Sequence, residues 1–140
     1  MANTNNNDTP ILFSGTSTVS SPKALSTTSR FEFDAITIGV DAVRGSLTVT
    51  LDNPSSASSG DYVDLQIKYS ADGSTYDTDE HAIYLPRMNT YGSEDPGEDP
   101  CTRTFPLDVS GMQSFKLVAK SNQSTRQITL AAVYNEHRMA

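Results

Sequence analysis

The stretch YVDLQIKYSADG, residues 62–73, decides the fold class. Its apolar residues come at every second position: Val63, Leu65, Ile67 and Tyr69. Successive side chains of a β-strand point to opposite faces, so this period predicts a strand with one buried face. The Asp-Gly pair at the end of the stretch is typical of a tight turn between strands. We therefore predict a central strand that ends in a turn.

Similar alternation continues on both sides of this stretch. The runs lie at residues 31–38, 47–51, 81–85, 105–109, 115–119 and 128–134. No amphipathic helical period of useful length interrupts them. Seven or eight strands, about ten to fifteen residues apart, predict an all-β fold, namely a two-sheet antiparallel β-sandwich. The spacing is compatible with either immunoglobulin-like or jelly-roll connectivity.

The inward residues of the strongest alternations form the predicted core. They are Phe33, Leu47, Val49, Leu65, Ile67, Leu117, Ile128 and Leu130. The last strand differs from the others, because Ala131 and Val133 place apolar side chains on its second face as well. This pattern predicts a strand that is buried on both faces.

Residues 1–29 are predicted to form an extended polar N-terminal arm, followed by one β-sandwich domain over residues 30–140. The arm is rich in Asn, Ser and Thr, and it contains one short apolar group, Ile11, Leu12 and Phe13. A segment this polar cannot bury itself. We expect the apolar group to form either a first edge strand or a contact with a neighbouring molecule.

Length and charge limit the classes of function. A chain of 140 residues fits one domain. The net charge is −7 and the 10 Lys and Arg residues are scattered, so nucleic acid is a poor candidate partner. The N-terminus lacks the features of a secretory signal, and no segment approaches the roughly 20 apolar residues of a membrane span. We expect synthesis in a cytoplasm and no membrane contact.

A catalytic constellation is not evident in the sequence. Cys101 is the single cysteine, and His81 and His137 are the two histidines, so a cysteine–histidine pair has few candidates. The serines lie in polar turns without a Gly-x-Ser-x-Gly elbow, and phosphate-loop and dinucleotide motifs are absent. We predict a protein with no enzymatic activity, no catalytic residues and no cofactor.

Two binding hypotheses accompany this prediction. Asp72, Asp77 and Asp79 lie around Gly73 and offer the hard oxygen ligands that calcium prefers. Their spacing is not that of an EF-hand loop, and a plain acidic turn is the favoured interpretation, so no metal site is predicted. A sugar-binding face is the second hypothesis, although the chain has no tryptophan. Its tyrosines would be Tyr62, Tyr76, Tyr84 and Tyr91.

The run from Tyr62 to Tyr76, together with FPLDV at 105–109 and FKLVAK at 115–120, resembles small β-sandwich structural proteins of tailed bacteriophages. In that family a strand ends in a Ser-x-Asp-Gly turn before a hairpin return. The resemblance covers about residues 30–135. It implies a head decoration, collar or tail protein, made in the host cytoplasm and assembled in many copies into the virion. A carbohydrate-binding or adhesion module shares this pattern and stays the alternative.

Assembly contacts are predicted from the remaining features. The long segment 87–100 is predicted to be a contact loop, because structureless connections of this length in compact domains are often functional. Prolines near the predicted sheet edges discourage unwanted strand pairing there, and the arm has no such protection. These prolines are Pro86, Pro96, Pro100 and Pro106. We predict homo-oligomers, and contacts with other virion proteins, through Ile11, Leu12, Phe13 and Tyr91.

Overall fold

The computed structural model describes residues 11–25, 28–52, 60–89, 101–123 and 128–139. In these ranges the chain forms ten β-strands and a short 3₁₀ turn at Asp79–His81. The strands are β1 (Ile11–Leu25), β2 (Phe31–Glu32), β3 (Ile36–Thr37), β4 (Ala42–Asp52), β5 (Tyr62–Ser70), β6 (Ile83–Tyr84), β7 (Met88–Asn89), β8 (Cys101–Leu107), β9 (Ser114–Ser121) and β10 (Ile128–Met139). No helix in the described ranges has the length and apolarity that a membrane span requires.

The strands form two sheets in which all pairings are antiparallel. The four-stranded sheet has the order β1-β10-β4-β8. The six-stranded sheet has the order β2-β9-β5-β6, with β3 also paired to β9 and β7 also paired to β5. Each of the pairs β2/β3 and β6/β7 lies along one neighbour and acts as a single interrupted strand. Both sheets are therefore four strands wide.

The chain crosses between the sheets at most connections. β1, β4, β8 and β10 belong to the four-stranded sheet, and the strands between them belong to the six-stranded sheet. With each interrupted pair counted once, eight strands follow the connectivity of a double-sheet jelly roll. The prediction of an all-β, two-sheet antiparallel sandwich is confirmed. Its connections are those of the jelly-roll option and not of the immunoglobulin-like one.

The core lies between the two sheets. All eight predicted core residues are buried, and they belong to one cluster that draws on both sheets. Phe115 of β9 and Tyr134 of β10 belong to opposite sheets, and their rings meet edge to face with centroids 5.0 Å apart. Apolar burial on both inner faces therefore holds the sheets together.

The N-terminal segment contributes a strand to the sandwich. Residues 11–25 form β1, which pairs with β10 at the edge of the four-stranded sheet. Of the two alternatives predicted for this segment, the first edge strand is the one observed. The sandwich therefore begins well before residue 30, within the segment that was expected to be an arm. Only Val19, Ser20 and Leu25 are buried along β1, and register shifts interrupt its pairing at three points. Such bulges break the period-two pattern, which is why the sequence resembled an arm.

Two further strand predictions need correction. The predicted strand over 31–38 is interrupted, because within this segment only the residues of β2 and β3 form ladder pairs with β9. Between them, the side chain of Phe33 is buried in the core, and its backbone amide donates a hydrogen bond to the Leu117 carbonyl oxygen at 2.9 Å. In the predicted strand over 81–85, His81 lies in the 3₁₀ turn and Ile83 is half exposed. Short edge strands carry too few paired residues for a reliable periodic signal.

The prediction that the last strand is buried on both faces is wrong. The inward residues of β10 are buried, but Thr129, Ala131 and Val133 on its other face are only half-buried. The burial that they have comes from the neighbouring strands β1 and β4 on either side. Small apolar residues at outward positions of a central strand therefore resemble a second buried face in the sequence.

Candidate assembly surface

Three exposed apolar side chains at the start of β1 lie next to a fourth, that of Met139, at the end of β10. In the antiparallel register Ile11 is paired with Met139, and Phe13 is paired with His137. The rings of Phe13 and His137 meet edge to face with centroids 5.7 Å apart. Phe13 is 60% exposed, and Ile11, Leu12 and Met139 are exposed as well. We call Ile11, Leu12, Phe13 and Met139 the tip cluster.

Hydrogen bonds at the base of the tip cluster join β10 to β1 and to the segment that precedes β4. The Ser14 hydroxyl donates to the Glu136 carbonyl oxygen at 3.1 Å. The Glu136 carboxylate accepts a hydrogen bond from the Gly39 amide at 3.0 Å. A Cβ atom at residue 39 would lie 2.6 Å from this carboxylate, so a larger residue would displace it. Burial and the nearby Glu136 raise the pKa of Tyr134, which therefore stays a neutral phenol beneath the tip.

Positive charge flanks the tip cluster. Arg138 is paired with Leu12 across the strands, and Arg44 of β4 is paired with His137. Both arginines are exposed. Glu136 and the exposed Asp41 lie at the same end, so the border carries both signs of charge. An apolar centre with a charged border is the composition expected of a protein contact surface.

The structure brings most of the predicted contact residues together. Ile11, Leu12 and Phe13 are exposed at the end of one edge strand. Tyr91 lies outside the described residues, as does most of the predicted contact loop. Met139 could not be predicted as a contact residue, because the polar and charged residues that follow Tyr134 have no clear strand period. Their membership of β10 depends on pairing with β1 and β4.

The acidic turn after β5 uses its first aspartate for backbone structure. Asp72 Oδ1 accepts hydrogen bonds from the Ser70 hydroxyl at 3.0 Å, the Ser74 amide at 2.8 Å and the Thr75 amide at 2.7 Å. These hydrogen bonds, above all those from the backbone amides, lower the pKa of Asp72. Gly73 has a positive φ of 83°, which a glycine adopts without strain. The group is a self-contained turn.

The other two aspartates of the calcium hypothesis have different partners. Asp77 accepts a hydrogen bond from the Tyr69 amide at 3.0 Å. Asp79 forms ion pairs with Lys68 and Arg30, and the contact with Lys68 is the main cause of its lowered pKa. Within the described ranges, no three His, Cys, Asp or Glu side chains are arranged to hold a metal. The turn therefore offers no assembled set of calcium ligands.

The outer face of the six-stranded sheet carries a network of charges. Its ion pairs are Lys68–Glu32, Lys68–Asp79, Lys116–Glu32 and Arg87–Asp64. Two of these cations also lie over tyrosine rings: Arg87 is 3.7 Å from the ring centroid of Tyr62, and Lys116 is 4.3 Å from that of Tyr76. Each of these tyrosines has one ring face occupied by a cation. The area available for stacking a sugar is reduced accordingly.

The cysteine and histidines of the catalytic hypothesis occupy separate places. Cys101 begins β8 in the four-stranded sheet, and its thiol lies 3.3 Å from the Asn89 carbonyl oxygen. His81 is exposed in the 3₁₀ turn that precedes β6 of the six-stranded sheet. His137 contacts Phe13 at the tip. The absence of enzymatic activity stays a prediction.

Comparisons with known proteins bear on the fold. No family model and no curated protein matches the chain. Among solved structures, it is similar to the crystal structure of dimeric latent PorU from Porphyromonas gingivalis, with a TM-score of 0.51 over 84% of this chain and 9% sequence identity. The chain spans only 11% of that protein's chain. The likeness is one of fold alone.

Proposed function

We propose that this chain is a non-enzymatic structural protein of a phage virion, a capsid decoration, collar or tail component that acts through protein–protein contacts. The tip cluster carries the proposal, because its apolar side chains are exposed yet held in place by strand pairing. Clustered apolar side chains of this kind favour association, since burial removes their surface from water. The virion context comes from the resemblance to small sandwich proteins of tailed phages.

The edge strand beside the tip cluster supports the same proposal. β1 is 15 residues long and lies at the edge of its sheet. Its residues 11–21 include neither a proline nor a charged side chain, the devices with which natural edge strands prevent pairing. The opposite edge, β8, contains both Arg103 and Pro106. An open edge next to an apolar tip suits the addition of a strand from a neighbouring subunit.

A carbohydrate-binding or adhesion module is the alternative. Tyr84 is 65% exposed on β6, and a hollow of about 430 Å³, lined in part by Asp72, Tyr76 and Ile83, lies beside that strand. The polar groups of this hollow already have partners, because Asp72 bonds within its own turn and the Tyr76 hydroxyl lies 2.7 Å from that of Ser114. Few groups remain to hold sugar hydroxyls, so assembly is the better-supported function.

A pair of double variants tests the proposal. Ile11→Ser with Phe13→Ser removes two of the four apolar side chains of the tip cluster. Ile83→Ser with Tyr84→Ser is the matched control, since this pair is similarly exposed on an edge strand of the other sheet. We expect the tip variant to lose cosedimentation with virions of the phage that encodes the chain. The control variant should cosediment as the unmodified chain does.

Two results would overturn the virion assignment. One is the absence of the chain, in stoichiometric amounts, from purified virions analysed by mass spectrometry. The other is normal attachment of the folded tip variant. Binding to immobilised glycans that is lost on Tyr84→Ser would instead favour the sugar-binding alternative.

A further inference from the structure

The outer face of the four-stranded sheet is uncharged over its central area. Its outward residues follow from the strand register and are Thr16, Thr18, Ser46, Thr48, Thr50, Thr102, Thr104, Pro106, Thr129, Ala131, Val133 and Asn135. We call these residues the threonine face. None of them is charged, although the chain contains 17 Asp and Glu and 10 Lys and Arg residues. Such a composition is unusual for a surface that only has to stay solvated.

Many polar groups of the threonine face are paired with one another across the strands. The pairs are Thr48–Thr104 and Thr50–Thr102, each with hydroxyl oxygens 2.9 Å apart, and Thr16–Asn135 at 2.7 Å. A polar group that keeps its hydrogen bond loses less when it is removed from water. The remaining surface consists largely of threonine methyl groups and the side chains of Ala131 and Val133. Another protein surface can therefore cover this face at a low desolvation cost.

Charged residues mark the two ends of the threonine face. Along β4, the outward residue at one end is Arg44, paired with His137, and at the other end it is Asp52, paired with Thr129. A strand rises about 3.4 Å per residue, so the two ends are about 27 Å apart. If two copies stack face to face with their strands running in opposite directions, Arg44 of each copy meets Asp52 of the other. The face is then complementary to itself about a two-fold axis.

We propose that the threonine face is a self-association surface on which a second copy of this chain stacks its own threonine face. Two chains that each carry a net charge of −7 repel one another, and an uncharged face lets them approach with the least repulsion. Four strands spaced about 4.8 Å apart over about 27 Å cover roughly 500 Å² per copy. A total of about 1,000 Å² lies at the low end of specific interfaces, so the dimer forms reversibly with concentration.

A charge placed within the face tests the proposal. Thr50→Glu puts a carboxylate at an interior position, opposite Ser46 of the other copy, where the dimer would bury the charge without a cationic partner. We expect dimerisation weaker by about tenfold or more in sedimentation velocity over a range of concentrations. Thr37→Glu is the matched control, because Thr37 is an exposed strand threonine paired with Ser114 on the outer side of the six-stranded sheet. The Thr37→Glu variant should dimerise as the unmodified chain does. Circular dichroism checks that both variants are folded.

A charge exchange tests the orientation of the stacked copies. Arg44→Asp and Asp52→Arg each bring like charges together at both ends of the dimer and should weaken it. The double variant restores complementarity and leaves the net charge unchanged, so it should recover the affinity of the unmodified chain. This recovery does not depend on any single variant being fully stable.

The proposal is overturned if the unmodified chain stays monomeric at every concentration, if Thr50→Glu dimerises as tightly as Thr37→Glu, or if the charge exchange recovers nothing. The tip cluster borders only the Arg44 end of the threonine face, because Phe13 is paired with His137 and His137 is paired with Arg44. The Ile11→Ser, Phe13→Ser variant should still form this dimer even though it no longer attaches to virions. Loss of the dimer in that variant, with Thr50→Glu unaffected, would assign self-association to the tip and not to the threonine face.

Discussion

The two sheets of this sandwich share one core but differ in their outer faces. On the six-stranded sheet, Lys68, Lys116 and Glu32 form ion pairs that extend to residues outside the strands. On the four-stranded sheet, the threonine face has no charge and its hydroxyls pair across the strands. Period-two alternation therefore determines which side of a strand is buried. It does not determine whether the outward residues are charged and solvated or uncharged and suited to contact.

The two outer faces also differ in the desolvation free energy that is lost when another protein covers them. Ion pairs lose much of their hydration when water is removed, and their mutual attraction often only offsets that loss. Paired hydroxyls with methyl groups between them lose far less. We therefore interpret the six-stranded sheet as presenting a solvated face and the four-stranded sheet as presenting a contact face.

The largest expected effect tests the core that both faces share. Leu47 of the four-stranded sheet and Leu65 of the six-stranded sheet have no exposed surface. Leu47→Ala and Leu65→Ala should each lower the free energy of unfolding by about 2 to 5 kcal/mol, because each leaves a cavity. Urea denaturation measures both losses. A loss near zero for Leu47→Ala alone would show that the four-stranded sheet is not packed on the common core.

Charge substitutions on the two outer faces should have unequal effects on stability. The side chain of Lys68 is only 12% exposed and lies between Glu32 and Asp79, so Lys68→Glu should lower the melting temperature by about 5 °C or more. Thr48→Glu, on the threonine face, should change the melting temperature of the dilute monomer by less than about half as much. Scanning calorimetry compares them.

The matched control for this prediction is Lys68→Met, which removes the charge and keeps the aliphatic stem. Its melting temperature should lie between those of Lys68→Glu and the unmodified chain. If Thr48→Glu destabilised the monomer as strongly as Lys68→Glu, the proposed difference between the two faces would be lost.

A smaller effect concerns the hydroxyl pairs themselves. A double-mutant cycle of Thr48→Val and Thr104→Val should give a coupling of about 0.5 kcal/mol in the free energy of unfolding, since each residue satisfies the other's hydroxyl. The doubly substituted face stays uncharged, so its self-association should be retained. A coupling of zero would mean that the pair does not contribute, and loss of self-association would mean that the hydroxyls themselves are recognised.

The smallest effect is a dependence on pH in the turn after β5. Hydrogen bonds lower the folded-state pKa of Asp72 below its ordinary value of 3.8. A carboxyl with a lowered folded pKa contributes stability above the unfolded pKa, and this contribution is lost as the pH falls below it. Between pH 5 and pH 2.5 the unmodified chain should therefore lose more stability than Asp72→Asn, as measured by urea midpoints. Asp34→Asn, at an exposed residue, is the control.

An Asp72→Asn variant whose urea midpoint falls as steeply with pH as that of the unmodified chain would contradict this prediction. The hydrogen bonds to Asp72 would then be equally strong when the carboxyl is protonated, and the turn would not depend on its charge.

Several residues show how far the sequence predicted the site. Ile11, Leu12 and Phe13 could be singled out because three adjacent apolar residues in a polar segment have no local partner to bury them. Met139 could not, since it joins the tip cluster only through its pairing with Ile11 at the other end of the chain. Thr48 and Thr50 flank the predicted core residue Val49 and are therefore outward by alternation, but that they face Thr104 and Thr102 depends on the pairing of β4 with β8.

The all-β class, the inward residues of the central strands and the turn at Asp72 and Gly73 follow from the amino-acid sequence alone. Each of these depends on residues close together in the chain, where alternation and turn preference act directly. The jelly-roll order, the place of β1 in the sheet and the composition of the threonine face become apparent only in the folded chain. Those features depend on which strands become neighbours, and that choice is made by the sum of packing and hydrogen bonding between residues far apart in the chain.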